Sequence, residues 1–228
     1  MVSADLGPIL GAAVDTWATV FVAVGTVGAV AYALFRDLVV VPRRRPKLDL
    51  RFDHAGNDQV VVGTSGGVDA AYVRLRVANA RGKDTADDVV VMVTEVRRLE
   101  DSEDAIAETR PIAHPLSWSG SSPPRAMGSV HPGSERHIDL LHVDLPAREE
   151  TEIGRRWSET TPVQLDLTPK PAGGRELLSL GRYEISVEIR ARNADAIRYA
   201  ISVRWDGEWS GEEAIWEHLR VEPPRKVR

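Results

Sequence analysis

The sequence predicts a mainly β protein: an antiparallel β-sandwich preceded by one N-terminal transmembrane α-helix. Three observations predict it. Residues 17–35, WATVFVAVGTVGAVAYALF, carry no charged side chain, and a helical rise of about 1.5 Å per residue takes such a run across roughly 30 Å of hydrocarbon. From Lys47 onward the apolar residues recur with period two, the mark of half-buried strands. The strand-like runs are short and separated by Gly, Pro and Asn or Asp, with no helical patterns alternating between them, which favours a sandwich over an α/β sheet.

The expected organisation is an extracytoplasmic or interfacial segment at residues 1–16 and a transmembrane helix at 17–41. A basic juxtamembrane linker at 42–47, a β-sandwich domain at 48–222 and a basic tail at 223–228 follow. After the membrane segment, the rest of the 228-residue chain suits one domain with a proper core. The formal net charge is −5, of which Asp5 and Asp15 supply two charges before the first basic residue, Arg36. No strong positive field is left to attract nucleic acid, and none is expected as a partner. The absence of cysteine removes disulfides, thiolate metal sites and cysteine nucleophiles together.

Within the span, Val20, Phe21, Val22, Val24, Val27, Val30, Leu34 and Phe35 contribute about −2 to −5 kcal/mol near mid-membrane. Trp17 and Tyr32 are placed as interfacial anchors. Arg36, Arg43, Arg44, Arg45 and Lys47 all follow the span, so the positive-inside rule sets the N-terminus outside and the bulk of the chain in the cytoplasm. The rival is a cleaved signal peptide, since Ala31-Tyr32-Ala33 has a small-x-small pattern. The basic-free N-terminus and the long apolar run oppose it. Leu6–Val14 is too short to span by itself and reads as an interfacial segment or a short hairpin arm. Gly25, Ala29 and Ala33 recur at four-residue spacing, which would let two membrane helices approach closely and makes self-association one expectation. The cluster of Arg43, Arg44, Arg45 and Lys47 reads as a stop-transfer flank, with anionic lipid headgroups as a second reading.

The strands follow in order. Leu48, Leu50 and Phe52 alternate with polar residues; Gln59–Gly63 is a second strand; Val73, Leu75 and Val77 point opposite to Tyr72, Arg74 and Arg76. Val89–Val96 reads as a central strand, Glu100–Glu108 as an acidic loop, Ile112–Trp118 as a strand interrupted at Pro115, and Gly120–Gly128 as a loop. In Glu135–Leu145 the apolar positions change face between Leu140 and Leu141, which predicts a bulge. Residues 146–161, with Trp157, read as a short helix or long connection. Val163, Leu165 and Leu167 alternate, as do Tyr183, Ile185, Val187 and Ile189, and Tyr199, Ile201, Val203 and Trp205, with Asp206-Gly207 as a hairpin turn. Eight or nine strands result.

Asn79, Gly82, Ala86 and Val89, in VANARGKDTADDVVVMV, resemble the strand-turn-strand of bacterial immunoglobulin-like and CARDB-type domains. The resemblance covers under a tenth of the chain, and here Asn and Gly lie further apart than in that pattern. It implies an immunoglobulin-like sandwich used for binding or spacing, with no catalytic residue.

Chemistry is sparse in the sequence. His137, Asp139, His142 and Asp144 are the densest metal-capable group, yet in an unbroken strand His137 and His142 face opposite sides, and only a bulge would reunite them. No metal and no cofactor are expected. There is no Gly-x-Ser-x-Gly elbow, phosphate loop or His-Glu-x-x-His, and no enzyme is expected. Trp209 and Trp216 lie outside the strand alternation and are candidates for a ligand or partner surface; the competing reading is core. The sequence therefore points to a non-catalytic interaction or assembly module, anchored in the cell membrane and facing the cytoplasm. Its expected partners are the lipid bilayer and a protein or second copy of the chain. The alternative is a ligand-sensing membrane effector of bacterial defence type that binds a small molecule and clusters its helices. A cavity with convergent arginines and aromatics would favour the sensor, a flat apolar patch the interaction module.

Overall fold

A computed structural model describes residues 7–54, 58–63, 69–100, 106–144, 162–207 and 215–227. They belong to two compact units, Met1–Arg45 and Pro46–Arg228.

The first unit is helical from Gly7 to Arg44. Helix α1 (Gly7–Phe35) runs into a π-helical turn (Arg36–Val40) and then α2 (Val41–Arg44). The stretch Phe21–Arg44 is long and apolar enough to cross a membrane, and its large apolar side chains are exposed within the chain, Phe21 by 71% and Leu38 by 73%. Two expectations are corrected. Residues 7–14 form no separate arm, because they continue into α1. Pro42 does not end the helix, since it occupies the first turn of α2, where a proline's missing N–H has little to lose. The wider π turn lies directly before it, with Val41 N–H donating to Arg36 O, so the strain that proline imposes on an α ladder is absorbed upstream. Arg43 and Arg44 fall in the last turn, where cations oppose the partial negative charge of a helix C-terminus.

The second unit is two antiparallel sheets of seven strands each. The first has the order β1 (Leu48–Arg51), β3 (Asp69–Asn79), β8 (Glu135–Asp144), β9 (Val163–Leu165), β10 (Leu177–Leu178); β2 (Gln59–Gly63) also pairs with β3, and β6 (Ser117–Trp118) with β8. The second has the order β13 (Leu219–Val221), β12 (Ala194–Trp205), β11 (Gly181–Ala191), β4 (Ala86–Leu99), β5 (Ile106–Pro115). There β14 (Arg225–Val227) pairs with β12, and β7 (Gly128–Val130) with β4.

One apolar cluster takes side chains from both sheets, including Leu50, Val73, Leu75, Ile138 and Leu165 of the first and Val91, Ile185, Val187, Ile201 and Trp205 of the second. Each such side chain contributes about 1.5–3 kcal/mol by leaving water. The expected inward sets are all buried: Leu48, Leu50 and Phe52; Val163, Leu165 and Leu167; Tyr183 to Ile189; Tyr199 to Trp205. The chain is thus a β-sandwich preceded by one apolar helix.

Several boundaries differ from the sequence reading. The strand expected from Ile112 begins at Ile106, so Ile106–Glu108 is strand rather than acidic loop. This is an edge strand whose first buried residue is Ile112, and edge positions leave no alternation to read. Gly128 opens β7 instead of closing a loop, and a Cβ there would come within 2.9 Å of Arg136 Nη1 and 3.0 Å of Trp118. Asp206-Gly207 is not a two-residue hairpin: β13 does pair antiparallel with β12, but only after a helical turn, α3 (Ile215–His218). Gly207 adopts φ +78°, and a Cβ there would run into the Leu180 side chain. The tail expected at 223–228 contains β14, in register with Arg198–Ala200. Residues 146–161 lie outside the described residues.

Candidate functional site

Of the residues singled out in the sequence, Gly25, Ala29 and Ala33 lie on α1 at one-turn intervals, all exposed within the chain. A Cβ at Gly25 would touch nothing within 4 Å. The structure divides the basic cluster. Arg43 and Arg44 end α2 and Arg45 is its C-cap, whereas Lys47 belongs to the second unit, its backbone N–H donating to Asn79 Oδ1 at 3.2 Å. Lys47 lines an open groove of about 620 Å3 with Asp49, Arg51, Arg81, Glu135 and Lys226. Asn79 also donates to the backbone carbonyls of Asp84 and Val130, and Gly82 takes φ +71°, so both serve the turn that their spacing suggested. Trp209 lies outside the described residues. Trp216, on α3, is half-buried with one side against the core, and Trp118 and Trp205 are core outright.

The densest chemistry is on the outer face of the first sheet, and a single extra residue creates it. In the pairing of β3 with β8, Val73 faces Leu141 and Arg74 faces Asp139, so Leu140 is bulged out of the ladder. Leu140 and Leu141 are then both buried, while His137, Asp139 and His142 share the outward face with Arg76, Arg74 and Tyr72, their cross-strand partners. The face is an alternation of charges. Asp58, with no exposed surface, accepts from Asp53 N–H at 2.7 Å and from Arg76 Nε at 3.0 Å through Oδ2. Its Oδ1 lies 3.2 Å from His137 Nε2. Arg76 and Arg51 both reach Glu135, at 3.4 and 2.8 Å. A buried charge is tolerable only when paired in this manner.

No family model, curated protein or solved structure matches the chain.

The second half of the same face centres on His142. Its Nδ1 lies 2.9 Å from Asp166 Oδ1, its ring stacks on Tyr72 at 5.2 Å, and its Nε2 has Asp144 at 3.8 Å. Burial opposes the charged imidazole, but the hydrogen bond and charge of Asp166, with Asp144, outweigh it and hold His142 above its ordinary value. Asp139 accepts from Ser119 Oγ and Arg74 Nε. Burial, with the charge of Asp166, nevertheless raises its carboxyl. The bulge does what a shared metal site would need, bringing both histidines to one face, but each histidine takes its own carboxylate. Among the described residues no three His, Asp or Glu side chains are grouped to hold a metal. The Ser119 hydroxyl bonds to Asp139 rather than to either imidazole.

Sequence reasoning missed Asp58 and Asp166. Neither lies in a named strand, so no periodicity marks them. The second sheet has a counterpart in Glu188, 3% exposed, which bonds to Arg198 Nε at 2.7 Å and to Arg190 Nε. Those two guanidiniums hold its carboxyl below the usual range.

Proposed function

We propose that the chain is a membrane-anchored interaction module, with the helix of the first unit in the bilayer and the β-sandwich on the cytoplasmic side. One observation carries this reading: the first unit is an apolar helix whose side chains the chain itself leaves exposed, closed at its C-terminal end by Arg43, Arg44 and Arg45. Exposed valines, leucines and phenylalanines in such density cost free energy in water, and lipid or a second apolar helix removes that cost. The basic residues, Arg36 and Arg43 to Arg45, follow the apolar run and none precedes it, which supports a cytoplasmic C-terminal end. The sandwich supports a binding role, since its surface is open grooves and ion-paired faces on a rigid core. Self-association through the face of Gly25, Ala29 and Ala33 belongs to the same reading.

The test is a C-terminal reporter whose activity depends on its side of the membrane, read alongside protease protection in right-side-out vesicles. A cytoplasmic reporter, with the sandwich protected until the membrane is opened, is the expected result. A reporter active only outside removes the proposed orientation. Full-length chain crosslinks as a dimer in membranes if the small-residue face associates, and Gly25→Leu abolishes that dimer.

A further inference from the structure

The second sheet carries on its outer face an open groove of about 980 Å3, within the size range of small-ligand sites. Its floor has an unusual charge order. Arg182 on β11 faces Arg204 on β12, Arg204 faces Arg220 on β13, and on the other side Arg182 faces Leu99 on β4, which faces Ile106 on β5. Directly opposed residues on antiparallel strands point to the same side, and neighbouring strands lie about 4.8 Å apart. The sequence therefore lays three guanidiniums in one line across the sheet and ends the line on an apolar shelf. Like charges directly opposite are destabilising, so lining up Arg204 with its two arginine neighbours works against the fold at that position.

Two acids line the groove, Glu184 and Glu222; Glu222 is exposed, while Glu184 is already engaged. Glu184, in the next row, takes Arg97 at 3.4 Å and Arg225 at 3.3 Å. Arg97 is further held by Glu95 at 3.0 Å. Arg204, by contrast, makes no side-chain hydrogen bond or ion pair with any described residue. Arg220 commits only its Nε, to Glu217 O at 3.0 Å. Both side chains are exposed, with their terminal donors available.

We infer that this groove is a binding site for a phosphate-bearing ligand, held by Arg204 and Arg220, with its apolar part on Leu99 and Ile106. A guanidinium presents a planar fork that fits phosphate oxygens two at a time, and a doubly charged phosphate answers more of the row than a single carboxylate does. The phosphate belongs either to a free polyphosphate, such as a nucleotide, or to a phospholipid headgroup. The site is independent of which side of the membrane the sandwich occupies.

The experiment uses the full chain in phosphatidylcholine nanodiscs. One arm titrates it with sodium triphosphate by calorimetry; the other mixes it with phosphatidic acid liposomes, or with phosphatidylcholine liposomes, and reads flotation. Arg204→Glu and Arg220→Glu are compared with Arg175→Glu, the same charge change on an exposed residue outside the groove. Expected is binding that both groove variants weaken at least about tenfold and Arg175→Glu leaves alone. Such loss in the triphosphate arm assigns a free phosphate, and in the phosphatidic acid arm a headgroup. Wild type that binds neither probe overturns the site. So does binding that survives Arg204→Glu, or that Arg175→Glu weakens equally. Arg204→Ala, which removes a like charge, melts at or above the wild-type temperature, so loss of binding in it is not loss of fold.

Discussion

Tyr199 places its ring in the core while its hydroxyl reaches the opposite sheet. It donates to Asp49 Oδ1 at 3.0 Å and accepts from Leu50 N–H at 3.3 Å. Burial first, and then the hydrogen bond to Asp49, push its phenol from 10.0 up to about 12. A folded value above the unfolded one means a stabilisation fully present below pH 10 and lost as pH climbs from there toward 12. Tyr199→Phe is expected to lower stability by about 1–2 kcal/mol at neutral pH, and to flatten the decline of stability between pH 10 and 12, both read by denaturant titration. That Tyr199 points inward was legible from its alternation with Ile201 and Val203. Its partner was not, because Asp49 lies 150 residues away and no local pattern connects them. The same limit hid Asp58 and Asp166, whose roles exist only once β8 lies beside β3 and β9.

At the scale of elements, legibility followed burial. Strands with one buried face, such as β3, β11 and β12, declared themselves through period two, and even the bulge in β8 showed as a change of phase between Leu140 and Leu141. Two strands with little buried surface, β5 and β14, did not. β5 begins with four exposed residues, and β14 is exposed at all three positions. Backbone pairing, which any side chain permits, makes both of them. Ending the chain at Pro224 removes β14 and its pairing with Arg198, Tyr199 and Ala200, and also the Arg225–Glu184 contact. A loss of about 1 kcal/mol, or a melting temperature lower by about 2–4 °C in calorimetry, is expected. No change would mean that β14 adds nothing to the fold. The arginine row was invisible for a related reason: Arg182, Arg204 and Arg220 are far apart in sequence, and only register lines them up.

The whole molecule is a helix and a sandwich that meet in sequence between Arg45 and Pro46, close to Lys47, where the apolar pattern changes from continuous to alternating. A chain starting at Pro46 retains the complete core cluster and is expected in the soluble fraction, while the full chain resists carbonate extraction from membranes. Recovery of the shortened chain only as aggregate would show that the sandwich depends on the first unit. The link between Tyr199 and Asp49 takes on a mechanical meaning for a domain tethered by its N-terminus. Tension along such a tether arrives at Lys47, where the Asn79 side chain clasps the backbone, and then at β1, an edge strand that would otherwise peel from β3 one bond at a time. Tyr199 rivets that strand to the far sheet, so the load is shared across the sandwich before the first strand can tear away.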